Sequence, residues 1–289
     1  MLIVGSLSAQ TINIGVFRSY SLKHVRVKSS NGRVSITSGG QSVAELEANQ
    51  FADVEYNNGS VLIEVNGEAK GTYASISITS TGNVLTMTPV VPSKRARSYQ
   101  GAYIVKALGG KLLVINRVSM PNYLAGVIES EGGGGRHIEY YKVQALMSRT
   151  YALKNKRRHA KDGFDLCDGV HCQAYHQMLQ HTSDIRTAVK ETKGKVLVDQ
   201  RNKLVTTYFS ANCGGQVCDA SHVWNNSVPH VETFLDTFCI HTRQATWTKK
   251  ISQYSWKNFL VKQYGYPIQD PAMEARIFDF EQELSLIHI

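Results

Sequence analysis

The sequence predicts an α+β fold, a β-rich N-terminal part followed by a mixed helix/strand part that holds the candidate chemistry. Three observations carry this. Between residues 11 and 118, apolar and polar residues alternate in short runs, the period of a strand with one buried face. Turn signals separate the runs: Asn31-Gly32, Gly39-Gly40, Asn57-Asn-Gly59, Asn66-Gly67, Thr81-Gly-Asn83 and Gly109-Gly110. Such residues supply the left-handed backbone that tight hairpins require. At Pro121 the apolar period changes from two residues to that of a helix.

The expected strands are Thr11–Phe17, Val25–Lys28, Arg33–Thr37, Val61–Val65, Ala74–Ile78 and Val84–Thr88. Together they argue for an antiparallel sheet or a small barrel. After Pro121, the positions Tyr123, Leu124, Val127 and Ile128 give a short helix that stops at Gly132–Gly135. A second helix runs from about His137 to Lys154, with Ile138, Tyr141, Ala145, Met147 and Ala152 on its apolar side. A Cys/His-rich loop over roughly 156–180 follows. Next come a helix at Asp184–Thr192, a strand at Lys195–Asp199, a turn at Arg201-Asn202 and a returning strand at Leu204–Phe209. Beyond Ser210 the chain reads as loop-rich, with one helix at Tyr254–Gln263. The regions are therefore 1–10, 11–118 and 119–283. Residues 1–10 read as the tail of a truncated signal peptide, or else as an apolar first strand. The apolar ending Leu284–Ile289 suggests truncation at the C-terminal end as well.

Composition narrows the function classes. The 289 residues include 32 Lys+Arg and 23 Asp+Glu, a net charge of 32 − 23 = +9, with 42% hydrophobic and 19% charged residues. A chain of this kind can bury a core, so wholesale disorder is excluded. No run reaches the ~20 apolar residues of a membrane helix, so no transmembrane segment is expected. The densest basic patches, Lys94-Arg95-x-Arg97 and Lys154-x-Lys156-Arg157-Arg158, are not interleaved with stacking aromatics, which argues against nucleic acid as a partner. They are either a solvated surface or an attraction to a polyanion, nucleic acid, anionic lipid or bacterial wall polymer, and charge alone does not choose among them. Five cysteines suffice for a metal site or one or two bridges.

Three stretches carry chemistry. The first is Tyr123-Leu-Ala-Gly-Val-Ile-Glu-Ser-Glu131, four glycines, then Glu139 through Leu153. Glu129 and Glu131 lie about 200° apart around a helix, so at most one enters a given cleft. Glu131 sits at the helix end, where the negative end of the dipole favours the protonated acid, a state that suits a general acid. Its alternative is a solvated terminal residue, and Gln144, Arg149 and Thr150 have packing or ion-pair alternatives. The second stretch is Asp165-Leu-Cys167-Asp-Gly-Val-His171-Cys172-Gln-Ala-Tyr175, with His159 upstream. Two thiols and two imidazoles can complete a tetrahedral zinc shell. The rivals are a Cys167–Cys172 disulfide and plain buried thiols, and His176 and His181 are spare ligands. The third is Tyr208-Phe-Ser210-Ala-Asn-Cys213-Gly214-Gly215-Gln-Val-Cys218, a strand end running into a backbone-lined turn. Here Cys213 is a nucleophile using His222 or His230, a partner of Cys218, or a bland turn residue.

As a set these stretches resemble the SpoIID/LytB family, the stage II sporulation protein D type of lytic transglycosylase. The matching wording is Tyr123-Leu-x-Gly-Val-Ile-x-x-Glu131, Glu139-x-x-Lys142-x-Gln144-Ala145-x-x-x-Arg149-Thr150-Tyr151-Ala152, Asp165-Leu-Cys-Asp168, His171-Cys172-Gln173-x-Tyr175 and Tyr208-x-Ser210-x-x-x-Gly214-Gly215. The likeness covers roughly residues 10–260. It implies cleavage of the MurNAc–GlcNAc bond of peptidoglycan with formation of a 1,6-anhydro sugar, Glu131 being the catalytic acid. It implies Gln144, Arg149, Tyr208, Ser210, Gly214 and Gly215 at the glycan, and a structural zinc on Cys167, His171 and Cys172 with His159. It further implies an exported protein of the periplasm or cell wall, working on glycan strands beside an amidase. One departure is Gly132-Gly133, where the family has Met-Pro. The alternative reading is a non-catalytic amidase enhancer that binds peptidoglycan.

Overall fold

The structure, a computed structural model, describes residues 2–4, 11–29, 31–224 and 227–278. Of the stretch read as a signal peptide, Met1 and 5–10 lie outside the described residues, as do 279–289 with the apolar ending. The chain divides into two compact units, 1–208 and 209–289.

The first unit opens with thirteen strands among the described residues: β1 Leu2–Val4, β2 Thr11–Val16, β3 His24–Lys28, β4 Val34–Ser38, β5 Gln41–Leu46, β6 Phe51–Asn57, β7 Ser60–Val65, β8 Glu68–Tyr73, β9 Ser75–Ser80, β10 Val84–Val91, β11 Arg97–Gln100, β12 Ala102–Leu108 and β13 Lys111–Ser119. Then follow α1 Met120–Gly132, α2 Ile138–Lys154, β14 Leu166–Cys167, α3 Ser183–Glu191 and β15 Lys195–Leu197. Six strands form one sheet in the order β11-β10-β3-β6-β7-β8. Seven form the other, β14-β2-β13-β12-β9-β4-β5. Both feed one apolar core.

Four of the six turn signals read from the sequence close hairpins, while Asn31-Gly32 and Thr81-Gly-Asn83 join strands of different sheets. Ser38 pairs with Gln41, Asn57 with Ser60, Val65 with Glu68 and Leu108 with Lys111. In each, both intervening residues have positive φ, from Gly39-Gly40 to Gly109-Gly110, as two-residue turns matched to strand twist demand. Strands β3, β7 and β10 alternate buried positions with half-buried or exposed ones. β13 does not: Leu112 to Asn116 are all buried, because α1 also packs against this strand and both faces are covered. A strict alternation rule passes over such a strand, and β5, β6, β8, β11 and β12 also add to the six expected.

The boundary expected at 118/119 falls inside the first unit, where β13 runs directly into α1 with Pro121 in its first turn. The returning strand expected at Leu204–Phe209 reduces to one bridge, Val198 to Leu204. Beyond it the side chains turn to α2: Lys154 Nζ donates to Thr206 Oγ1 at 2.5 Å and Thr207 Oγ1 to the Met147 carbonyl at 3.1 Å.

The second unit contains β16 Gln216–Val217, α4 Ser221–Trp224, β17 Phe234–Leu235, α5 Gln253–Tyr264 and α6 Pro271–Ala275. Among the described residues no helix is long and apolar enough to cross a membrane.

Candidate functional site

α1 is buried along most of its length, from Tyr123 to Ile128. A strap of chain, residues 173–182, wraps its C-terminal half. Gly126 permits this: a β-carbon there would sit 2.4 Å from the Gln177 carbonyl oxygen and 2.6 Å from the Tyr175 ring. Buried tyrosines hold the strap from beneath. Tyr99 donates to the carbonyls of Tyr175 and His176 at 3.2 and 3.0 Å, Tyr175 to Asn116 Oδ1 at 3.1 Å and Tyr123 to Gln173 Oε1 at 3.1 Å. Burial pushes the phenols of Tyr99, Tyr123 and Tyr175 above the usual range, so they remain neutral donors.

The last turn of α1 grips the strap from above. The Glu129 carboxylate accepts from the backbone of Gln180 at 2.7 Å and of His181 and Thr182 at 2.9 Å each. Partial burial raises its pKa, and these N–H donors more than reverse that, leaving it below the ordinary value. Ser130 Oγ donates to the Gly126 carbonyl and accepts from His176 N. Glu131 accepts from Ala174 N at 2.6 Å through Oε1. Its side chain is exposed, and it makes no ion pair among the described residues. The two carboxylates thus reach opposite ends of one strap. A cleft of about 370 Å³ adjoins this helix end, lined by Glu129, Ser130, Gly133, Gly134, His176, Gln177, His181 and Thr182. Glu131 stands outside that lining.

On α2 most motif residues serve architecture. Lys142 pairs with Glu139 at 2.7 Å and with Glu191 of α3 at 2.8 Å. Thr150 Oγ1 accepts from Leu197 N of β15. Arg149, expected at the glycan, is 4% exposed, and its guanidinium donates to the carbonyls of Val189, Thr192 and Lys195 and to Thr192 Oγ1. It satisfies the orphan carbonyls at the end of α3, and burial lowers its pKa to about 10. Gln144 is different. It is buried, its Nε2 donates to Tyr140 Oη at 3.4 Å, and its Oε1 has no partner among the described residues, nor has Ser148 Oγ one turn on.

His159, Cys167, His171 and Cys172 converge, their ligand atoms all within 4.8 Å of one another. Cys167 Sγ is 3.8 Å and Cys172 Sγ 3.7 Å from His171 Nδ1, and Cys172 Sγ is 3.5 Å from His159 Nε2. The cluster could hold a metal ion. The bent 168–172 loop lets the adjacent His171 and Cys172 both point inward; Cys172 N closes a turn on Gly169 O. A hydrogen bond from Cys172, then the Gly169 N–H and the imidazoles, hold the Cys167 thiol well below its ordinary value despite burial; the contact with Cys167 and burial push Cys172 up. His176 and His181, the spare ligands, line the cleft instead.

The cluster is anchored by residues that sequence reasoning passed over. β14 extends the seven-stranded sheet in parallel to β2, Cys167 lying opposite Gly15. Asp168, 6% exposed, accepts from Phe17 N at 2.7 Å, Arg18 N at 3.3 Å and Arg97 Nη1 at 2.8 Å. Arg97, part of a basic patch by sequence, is thereby spent inside the fold. Asp162 meets His159 Nδ1 at 3.3 Å, turning Nε2 toward Cys172. The signal for Asp168 was its place in the Asp165-Leu-Cys-Asp168 wording, whereas Arg97 carried none.

Tyr208 ends the first unit, and Ser210, Cys213, Gly214 and Gly215 belong to the second. The sulfur facing Cys213 is that of Cys239 at 3.2 Å, not Cys218.

The first unit therefore defines a class of protein: a β scaffold presenting an acidic helix end, a glycine-walled cleft and a four-donor His/Cys cluster. Residues 108–198, from the end of β12 through β15, match the family described as SpoIID, stage II sporulation protein. Over 163 residues the chain is 28% identical to an uncharacterized protein of Brachyspira hyodysenteriae, covering 56% of this chain and 44% of that protein. Over 130 residues it is 32% identical to the amidase enhancer of Bacillus subtilis, covering 45% of this chain and 17% of that protein. The matches span less than half the length of either relative.

Proposed function

We propose that this chain is an exported peptidoglycan lytic transglycosylase that cuts the MurNAc–GlcNAc bond and leaves a 1,6-anhydro end, with Glu131 as general acid and then base. The observation that carries the reading is the state of Glu131. One oxygen is steadied by the Ala174 N–H, the side chain is exposed, and no cation among the described residues pairs with it. A hydrolase of glycosides needs two carboxylates flanking the bond. Here the neighbouring carboxylate, Glu129, is consumed by three backbone donors. One free carboxyl suits an intramolecular displacement, in which the sugar's own C6 hydroxyl attacks the anomeric carbon. Glu131 protonates the leaving glycosidic oxygen and then takes the hydroxyl proton, ending as it began. Gln144, whose buried Oε1 has no partner among the described residues, stays a proposed glycan contact. Tyr208, Ser210, Gly214 and Gly215 stay proposed glycan contacts.

The four-donor cluster fits a structural zinc ion. Bonds of about 2.3 Å to sulfur and about 2.0 Å to nitrogen at the tetrahedral angle give a sulfur–nitrogen edge of about 3.5 Å. Three of the four such edges are 3.5, 3.7 and 3.8 Å. Bound there, zinc would tie the 159–172 loop to the edge of the sheet and so steady the strap that carries Ala174.

The test is incubation of the chain and of Glu131→Gln with purified sacculi, followed by mass analysis of the released muropeptides. Anhydro ends from wild type alone are expected. Equal product from both, or ordinary reducing ends, overturns the assignment. The second reading, a peptidoglycan-binding amidase enhancer, is favoured by the name of the Bacillus subtilis relative. It predicts sacculus binding without product and faster cleavage by an added amidase.

A further inference from the structure

The second unit has almost no apolar interior. Among its described residues only Cys213, Cys218, Ala220 and Ile277 are buried. Phe234, Leu235, Phe238 and Tyr254 are more than half exposed. A small unit without a core is stabilised by a cross-link of another kind.

Two of its three cysteines are arranged for one. Cys213 Sγ and Cys239 Sγ, 26 residues apart in sequence, lie 3.2 Å from each other. Asn212 clasps both strands of this contact. Its Nδ2 donates to the Cys239 carbonyl at 3.0 Å, and its Oδ1 accepts from Gly214 N at 2.7 Å and from the Cys239 thiol at 3.2 Å. Gly214 and Gly215, with φ of 71° and 105°, allow consecutive N–H groups to converge into a nest for a negative atom. The hydrogen bond from Cys213, with the N–H groups of Cys213, Gly215 and Gly214, draws the Cys239 thiol below its ordinary value; burial raises that of Cys213. Cys239 is half-buried and reachable, while Cys213 is 9% exposed.

The geometry points to Cys213 and Cys239 as a thiol pair that closes into a disulfide cross-linking the second unit, Cys239 being the attacking and Cys213 the resolving sulfur. The oxidant is a small or protein disulfide, RSSR. The Cys239 thiolate attacks one sulfur of RSSR, forms a mixed disulfide and expels the first RS⁻. The Cys213 thiolate then attacks the Cys239 sulfur and expels the second RS⁻. The two protons of the original thiols leave with the two RSH, and the two electrons reduce RSSR. Closing the gap needs about 1 Å of sulfur movement, toward a bond of about 2.05 Å. Nothing in this step depends on glycan cleavage, so its failure and that of the transglycosylase reading are separable.

The test treats the full chain with oxidised glutathione, alkylates remaining thiols and maps peptides without reduction. The expected result is a Cys213–Cys239 linked peptide with Cys218 alkylated. Cys213→Ser should trap glutathione on Cys239, and Cys239→Ser should leave Cys213 without an adduct. Limited proteolysis of the oxidised wild type should cut the second unit about tenfold more slowly than the reduced form. A linked peptide containing Cys218, or complete alkylation of both Cys213 and Cys239, overturns the pairing. Equal proteolysis rates overturn the stabilising role.

Discussion

The two carboxylates at the end of α1 can be separated by changing each to its amide. Glu131→Gln keeps an oxygen for the Ala174 N–H, so one charge-assisted bond of 2.6 Å becomes a neutral one. That step costs about 1 kcal/mol, less at an exposed site, and lowers the melting temperature by about 1–4 °C for a unit of this size. Its activity should fall by about 10²–10⁴-fold, the worth of a general acid/base. Glu129→Gln is structurally worse. The carboxylate accepts three N–H groups, two through Oε1 and one through Oε2, and an amide has only one oxygen. With the amide nitrogen in the place of Oε2, two bonds weaken and the Gln180 N–H meets an NH₂ group; in the other orientation both the His181 and Thr182 N–H groups meet it. The cost is about 2–3 kcal/mol, or roughly 5–10 °C. Thermal melts and sacculus digestion run side by side give the assay. If Glu131→Gln melts as low as Glu129→Gln, Glu131 is a strap anchor and not a free acid, and the assignment of the two roles is wrong.

Other predictions follow from the same contacts. Gly126→Ala drives a methyl into the Gln177 carbonyl and the Tyr175 ring; we expect a loss of about 2–3 kcal/mol or more, read by thermal melting, with faster amide exchange across the strap. Chelation of a metal-loaded preparation should release one zinc per chain and lower the melting temperature, and Cys172→Ser should abolish both responses; a melt indifferent to chelator speaks against a structural metal. Acid should loosen the strap. The pKa of Glu129 in the fold lies below its ordinary value of 4.5, so its contribution is present above that range and disappears as pH falls through the lower folded value. Exchange at Gln180, His181 and Thr182 should therefore rise at the acid end, and Glu129→Gln should show that fast exchange already at neutral pH.

Much of the fold was legible because its rules are local. Gly39-Gly40, Asn66-Gly67 and Gly109-Gly110 announce hairpins through the left-handed backbone they permit, and alternation marks β3, β7 and β10. The spacing of Tyr123, Leu124, Val127 and Ile128 marks α1. The donor types of His159, Cys167, His171 and Cys172 name a metal-competent set before any coordinates. Sequence spacing cannot say that a strand with both faces covered, such as β13, exists as a nine-residue element, since its pattern has no period.

What tertiary structure alone decided is which side chains remain free. Arg149 and Glu129 stand in the same motifs as Gln144 and Glu131, and their spacing does not show which of the four distant backbone engages. The fold brings the end of α3 to Arg149 and the strap to Glu129, neutralising the polar demand of both. Among the described residues, Glu131 is left with one donor and Gln144 with an empty acceptor. The same holds for sulfur: five cysteines are countable from the sequence, but only folding pairs Cys213 with Cys239 in preference to Cys218. Residue type determines what a group can do. The competition for it by distant backbone, set by loops and registers far along the chain, determines whether it is still available to do so.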